Sequence, residues 1–146
     1  ESHAWHRPLL AKRASQYDPR VRSRIERGAT MSASDYIDLL NARQHWIVRM
    51  EAALAPFDAL LSPTVPLVAP PIADVAPGAE RDAEFFRVNA LLLRNTSVVN
   101  MLDGCALSLP CHMAGELPVG LMVWHGALHD DAVLNVGLQI EQILQK

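Results

Sequence analysis

The chain has 146 residues, half of them hydrophobic, and a formal net charge of −3. This length fits one ordinary domain with a real core, and the slightly acidic balance argues against binding to nucleic acid or to an anionic membrane. No apolar run approaches the roughly 20 residues of a membrane-spanning helix, no signal peptide is recognisable, and the two cysteines favour a reducing, cytoplasmic location over a disulfide framework.

Residues 1–55 are predicted to be helical. The first helix is expected over residues 7–16, because Pro8 is tolerated near a helix start but not inside a long helix. An N-cap at Asp18 starts the second helix, with proline at its first position, and Gly28 is expected to close it as the C′ residue. The arginines of this helix are read as a solvated surface, with an anion or RNA contact as the alternative.

A capping box predicts the start of the third helix. Ser32 and Asp35 have the required spacing, and the helix is expected to run to Ala55, where Pro56 ends it. Its apolar residues recur near the helical period: Tyr36, Leu39, Leu40, Trp46, Ile47, Met50 and Leu54.

Residues 56–79 are rich in proline. A short buried strand is predicted over 58–62, and residues 63–78 are expected to be largely extended because so many backbone donors are missing. Interleaved valines and leucines favour a loop packed along its own domain. The alternative is a proline-rich ligand for another protein.

Residues 80–146 are predicted to form a helix–strand–strand–helix region. The helix covers 80–94, the strands cover 105–109 and 119–124 as a hairpin-like pair, and acidic residues 130 and 131 start the last helix. Both strands are apolar along their whole length, as in a sheet covered on both faces. Three such strands need more layers than this chain obviously provides, which indicates a piece of a larger α/β unit.

A polar cluster lies between the first helix and the first strand of this region. Such groups are either satisfied inside a core or directed at a small polar ligand. Within the cluster, the arginine can pair with a carboxylate or hold helix-end carbonyls, the aspartate can cap its turn, and residues 96–101 can continue the helix or start a loop. The candidate substrate-binding residues are Arg94, Asn95, Thr96, Asn100 and Asp103.

No complete catalytic set is present. Ser108 lacks the glycine-flanked elbow of a nucleophile and is interpreted as a buried strand serine bonded to the backbone. Cys105 and Cys111 are interpreted as core residues, while Lys12 lies in an exposed basic run and Lys146 ends the chain.

Metal and cofactor sites are not predicted either. His125 and His129 have helical i,i+4 spacing, but the last helix is expected to start after them. The glycines are scattered singly, so there is no phosphate-binding loop. We therefore predict no metal and no cofactor.

Several runs, in order, resemble the C-terminal part of amidase-signature hydrolases. They are Glu1-Ser2-His3-Ala4, Tyr17-Asp18-Pro19-Arg20-Val21-Arg22, Ser34-Asp35-Tyr36, Leu60-Leu61-Ser62-Pro63-Thr64, Arg94-Asn95-Thr96, Ala106-Leu107-Ser108-Leu109-Pro110-Cys111 and Leu117-Pro118-Val119-Gly120-Leu121. The resemblance implies an α/β fold in which helices pack against a large mixed sheet. It also implies amide hydrolysis through an acyl-enzyme, with a serine nucleophile, a bridging serine and a lysine base that lie upstream and match no residue here.

We therefore expect residues 1–146 to be the C-terminal part of an amidase domain, inactive alone, that contributes sheet strands and one wall of the pocket for a small carboxamide. Its expected partner is the missing N-terminal catalytic part. Asp103-Gly104-Cys105 stands where many members have Gly-x-Pro, so the substrate class stays open. The alternatives are an amidotransferase A-type subunit and a non-catalytic module. The isolated chain is expected to form a homo-oligomer, which light scattering would detect, because it should expose apolar faces.

Overall fold

The computed structural model describes residues 1–144; Lys146 therefore lies outside the described residues. Its elements in chain order are α1 (Ser2–Arg13), α2 (Pro19–Glu26), α3 (Ala33–Leu54), β1 (Leu60–Pro63), α4 (Ile72–Val75), α5 (Asp82–Arg94), α6 (Thr96–Met101), β2 (Cys105–Pro110), β3 (Gly120–His125) and α7 (Asp130–Leu144), with short 3-10 turns at Ala14–Gln16, Arg27–Thr30 and Ala79–Arg81. The chain divides into two compact units, residues 1–42 and the described residues from 43 onward.

In the first unit, α2 begins where its local sequence predicts. The Asp18 side chain accepts hydrogen bonds from the backbone N–H groups of Arg20 (2.8 Å) and Val21 (3.1 Å), and Pro19 occupies the first helical position. These bonds satisfy two N–H groups that have no partner within the helix. The predicted N-cap is confirmed.

Three expectations for the first unit are wrong. The arginines of α2 are not all on a solvated surface, because Arg20 is buried, with 7% exposure. Helix α1 starts at Ser2 and continues through Pro8, because packing against α2 and the turn at Arg27–Thr30 offsets the single hydrogen bond that proline removes. Gly28 lies inside that 3-10 turn and is not a C′ residue. A Cβ on Gly28 would lie 2.7 Å from Cβ of His3, so the close approach of α1 accounts for the glycine.

The start of α3 confirms the capping box. The Asp35 N–H donates to Oγ of Ser32 (3.1 Å), and the Ser32 N–H donates to Oδ2 of Asp35 (2.9 Å). The backbone bond, followed by a bond from the Ser32 hydroxyl, holds the pKa of the Asp35 carboxyl below its ordinary value. The apolar stripe packs only in its second half, because Leu39 and Leu40 are exposed.

The second unit is built on a three-stranded sheet of order β1-β3-β2. Both pairings are antiparallel, and Ser62, Met122 and Ser108 lie level across the three strands. The α/β class and the pairing of the last two strands are confirmed. Parallel pairs, which would complete a mixed sheet, are not found among the described strands.

Strand β3 is central and is covered on both faces. On one face, Met122 and Trp124 pack with apolar residues of α3 and with Leu102, which is fully buried. On the other face, Val123 packs with Val133 of α7. Burying one such side chain fully contributes about 1.5–3 kcal/mol.

The edge strands are less buried than their composition predicts. Strand β2 alternates, and its residues Ala106, Ser108 and Pro110 are exposed, so the expectation of two covered faces holds for β3 alone. The proline-rich passage is also less uniform than expected, because it contains the short helix α4. Asn95 separates α5 from α6, so residues 96–101 form a helix of their own.

Candidate functional site

Two hydroxyl groups meet at one end of the sheet. Thr64 directly follows β1, and its N–H donates to the carbonyl of Gly120 on β3 (2.8 Å). Its Oγ1 lies 2.5 Å from Oγ of Ser108, which projects from β2 on the far side of β3. One hydroxyl donates to the other, so the second hydroxyl hydrogen remains available to a ligand.

Gly120 makes this meeting possible. A Cβ at position 120 would lie 2.6 Å from Oγ of Ser108 and 2.7 Å from Oγ1 of Thr64. Real Cβ atoms do not come this close to oxygen, so any side chain would push the two hydroxyls apart. Because Gly120 on the central strand has no side chain, Thr64 beside one edge strand can contact Ser108 on the other edge strand.

Asn95 completes the group. Its Nδ2 donates to the carbonyl of Pro63 (2.7 Å), which places the amide beside the last residue of β1. We call Thr64, Asn95, Ser108 and Gly120 the sheet-end cluster. It offers hydroxyl donors, hydroxyl acceptors and the Oδ1 acceptor of Asn95, the types of group that a carboxamide binds.

Arg94 and Thr96, the neighbours of Asn95 in sequence, make no contact with the sheet-end cluster through a hydrogen bond of the described residues. The Arg94 side chain is exposed, and among residues 1–144 it has no hydrogen-bond or ion-pair partner. Thr96 instead bonds back to α5, with its Oγ1 3.5 Å from the carbonyls of Leu92 and Leu93. Thr96 is thus satisfied locally, while Arg94 is available to an anion.

The remaining two candidates, Asn100 and Asp103, lie next to the turn between α6 and β2, and Arg43 contacts both of them. Nη2 of Arg43 donates to Oδ1 of Asp103 (2.5 Å) and reaches the carbonyl of Asn100 (3.5 Å). The Asp103 carboxylate is 65% exposed, so the ion pair contributes less than about 1 kcal/mol. Asp103 has φ of 54°, and a Cβ on Gly104 would lie 2.3 Å from the carbonyl oxygen of His125, so this turn is sterically tight.

The five predicted residues therefore form two groups. Arg94, Asn95 and Thr96 lie at the junction of α5 and α6, and Asn100 and Asp103 lie at the other end of α6. A six-residue helix is about 9 Å long. The sheet-end cluster involves the first group only, through Asn95.

The interpretation of the candidate nucleophiles needs two corrections. Ser108 is exposed and bonds to another hydroxyl instead of being buried on the backbone, because its face of β2 is uncovered. Cys111 is exposed rather than in the core, since it follows β2 in an exposed loop, whereas Cys105 is half-buried. The observed partner of Ser108 is Thr64, which cannot serve as a general base.

Sequence reasoning missed Thr64, Gly120 and Arg43. The first two lie within the Ser-Pro-Thr and Pro-Val-Gly runs quoted above, so a signal was present, but it did not show that they meet. No local signal connects Arg43 with Asp103. Among residues 1–144, no group of three or more side chains is placed to hold a metal ion, and no helix there has both the length and the apolarity to cross a bilayer.

Comparison with known proteins decides the family. The family model for amidases matches residues 2–134. The chain belongs to the amidase family. Its fold is similar to that of a solved structure described as a crystal structure of amidase, with a TM-score of 0.75 and 28% sequence identity. That match covers 96% of this chain and 32% of the solved amidase chain, so this amidase-family chain spans about a third of that protein's length. A search of curated proteins gave no match.

Proposed function

We propose that this chain is the C-terminal portion of an amidase that hydrolyses a small carboxamide to a carboxylate and ammonia. In this proposal it contributes β1, β2 and β3 to the enzyme's sheet and the sheet-end cluster to a wall of the substrate pocket. The observation that carries the proposal is the family match over residues 2–134, together with the similar fold.

The sheet-end cluster suits a binding role in this reaction. A primary carboxamide presents two N–H donors and one carbonyl acceptor, and it is held best where both donors and acceptors converge. The Thr64 and Ser108 hydroxyls provide both, together with Oδ1 of Asn95, which has no partner among residues 1–144. Arg94, whose guanidinium is unpaired within the same residues, would attract the carboxylate that hydrolysis forms.

The chemistry itself is proposed to come from another part of the enzyme. Acyl transfer by a serine needs a base within hydrogen-bond reach of the hydroxyl. The single lysine among residues 1–144, Lys12, is exposed at the end of α1 and is hydrogen-bonded to no serine of the described residues. We therefore assign the Ser-Ser-Lys set to the N-terminal catalytic part, which is the partner we propose. Two free cysteines support a cytoplasmic location.

The purified chain of 146 residues should hydrolyse no amide. Incubation with a small aliphatic carboxamide should release no ammonia, and a fluorophosphonate probe should label no serine, because no serine among residues 1–144 is hydrogen-bonded to a histidine or a lysine. A full-length amidase treated in the same way is the positive control. Labelling of the purified chain, followed by its loss in Ser108→Ala, would show that the chain carries its own nucleophile and would refute the division of roles.

A further inference from the structure

A cavity lies at the opposite end of β3 from the sheet-end cluster. It has a volume of about 350 Å³ and is lined by Glu51, Ala55, His125, Gly126, Ala127 and His129. Its residues come from the end of α3, from the last residue of β3 and from the segment between β3 and α7. None of them belongs to the sheet-end cluster.

Most of the cavity's polar groups already have partners. The backbone N–H of Gly126 donates to Nδ1 of His125 (2.7 Å), so Nε2 carries the ring hydrogen and donates it to the carbonyl of Phe57 (3.2 Å). Both ring nitrogens of His125 are thereby occupied, and this buried side chain is fixed in one orientation. It forms a wall of the cavity and is not a free ligand group.

Glu51 is the charged group that remains. Its carboxylate makes no hydrogen bond or ion pair with any residue from 1 to 144. Its Cγ lies 3.8 Å from the position that a Cβ on Gly126 would occupy, so the side chain runs along the cavity wall. No lysine or arginine lines the cavity. Glu51 is exposed, so the cavity presents one solvent-accessible carboxylate with no ion-pair partner among residues 1–144.

The end of α3 adds to this negative potential. Glu51 and Ala55 lie at the C-terminus of a 22-residue helix, where the partial charge of the helix dipole is negative. Residue 56 is a proline and has no N–H, so the carbonyl of Ala52 lacks its usual donor. The carboxylate and the helix end both favour a cation.

The remaining walls are suited to an apolar body. The rings of His125 and His129 are in contact at a tilt, with centroids 3.8 Å apart and planes inclined by 37°. The Ala55 and Ala127 methyl groups complete this side of the cavity. The volume accommodates a short alkyl chain but not a large ligand.

We propose that this cavity binds a small organic ammonium ion. The ammonium group would lie against the Glu51 carboxylate and the α3 terminus, and its alkyl chain would lie against the two imidazole rings and the alanine methyls. This site is independent of the proposed amide hydrolysis, since it shares no residue with the sheet-end cluster.

The test is a titration of the full chain with n-butylammonium chloride, followed by residue-resolved ¹H–¹⁵N NMR at low ionic strength. Saturable shifts are expected at the amides of Gly126, Ala127 and His129, and added salt should weaken them. Neutral n-butanol, which has a similar size, should give no saturable shifts there. Equal responses to the two compounds, or no saturable response to n-butylammonium, would overturn the proposal.

Two variants probe charge and volume separately. Glu51→Gln should weaken n-butylammonium binding roughly tenfold, because it removes the charge but keeps the shape. Ala127→Leu should weaken it similarly by filling the cavity. The matched control, Glu84→Gln, removes an equal charge from α5 and should leave the affinity unchanged. Unchanged binding in either cavity variant, or an equal loss in the control, would contradict the site.

Discussion

Replacing Leu102 with alanine is expected to lower the free energy of unfolding by about 3 kcal/mol. Leu102 is 0% exposed and packs with Ile47, Leu54 and Trp124 in the core between α3, α6 and the sheet. Truncating it removes transfer energy and leaves a cavity that rigid neighbours fill only in part. Urea unfolding, monitored by circular dichroism, would measure the loss as a lower midpoint at an unchanged slope.

Leu128→Ala is the matched control for this change. Leu128 is 95% exposed, and with φ of 64° its backbone is equally unfavourable for leucine and alanine. Its truncation removes atoms that are already in water, so the free energy of unfolding should change by less than about 0.5 kcal/mol. Similar losses in both variants would mean that Leu102 does not occupy the core position described above.

Gly104→Ala is expected to destabilise the chain by about 2–3 kcal/mol. The added Cβ would lie 2.3 Å from the carbonyl oxygen of His125, a backbone atom at the end of the central strand. A backbone atom cannot rotate away, so the turn between α6 and β2 must move. The same unfolding experiment measures the effect, and a loss below about 0.5 kcal/mol would show that the turn is not tight.

Gly126→Ala tests whether any added methyl group near this strand end is harmful. The nearest atom to a Cβ at position 126 is Cγ of Glu51 at 3.8 Å, an ordinary contact. A Gly→Ala change without strain reduces the entropy of the unfolded chain and often stabilises by about 0.4–1 kcal/mol. Gly126→Ala should therefore be neutral or stabilising. A loss as large as that of Gly104→Ala would contradict the steric explanation.

The sequence predicted the features that depend on near neighbours. Asp18 and Pro19 predicted the start of α2, and Ser32 with Asp35 predicted the start of α3, because a cap involves residues only two or three positions apart. The apolar runs that became β2 and β3 also indicated their pairing. The prediction from local sequence was wrong at Pro8, because packing between helices outweighs the low helix propensity of this single proline.

The candidate site was predicted only in part, because its contacts are distant in sequence. Ser108 and Thr64 are 44 residues apart, and they meet only when three strands adopt one register with a glycine between them. Arg43 and Asp103 are 60 residues apart. The apolar composition of β2 predicted a buried Ser108, since a sequence does not show which face of an edge strand is left uncovered.

A chimaera tests the proposal that this chain forms a substrate-binding wall of an amidase. The matching third of the solved amidase is replaced by this chain, and hydrolysis of a small carboxamide is measured after cooperative thermal unfolding confirms a folded product. We expect an active chimaera in which Asn95→Ala lowers kcat/KM about tenfold or more, the effect of losing one well-placed polar contact. The exposed Asn135→Ala on α7 should leave kcat/KM unchanged. A folded but inactive chimaera, or equal activities of the Asn95 and Asn135 variants, would contradict the account.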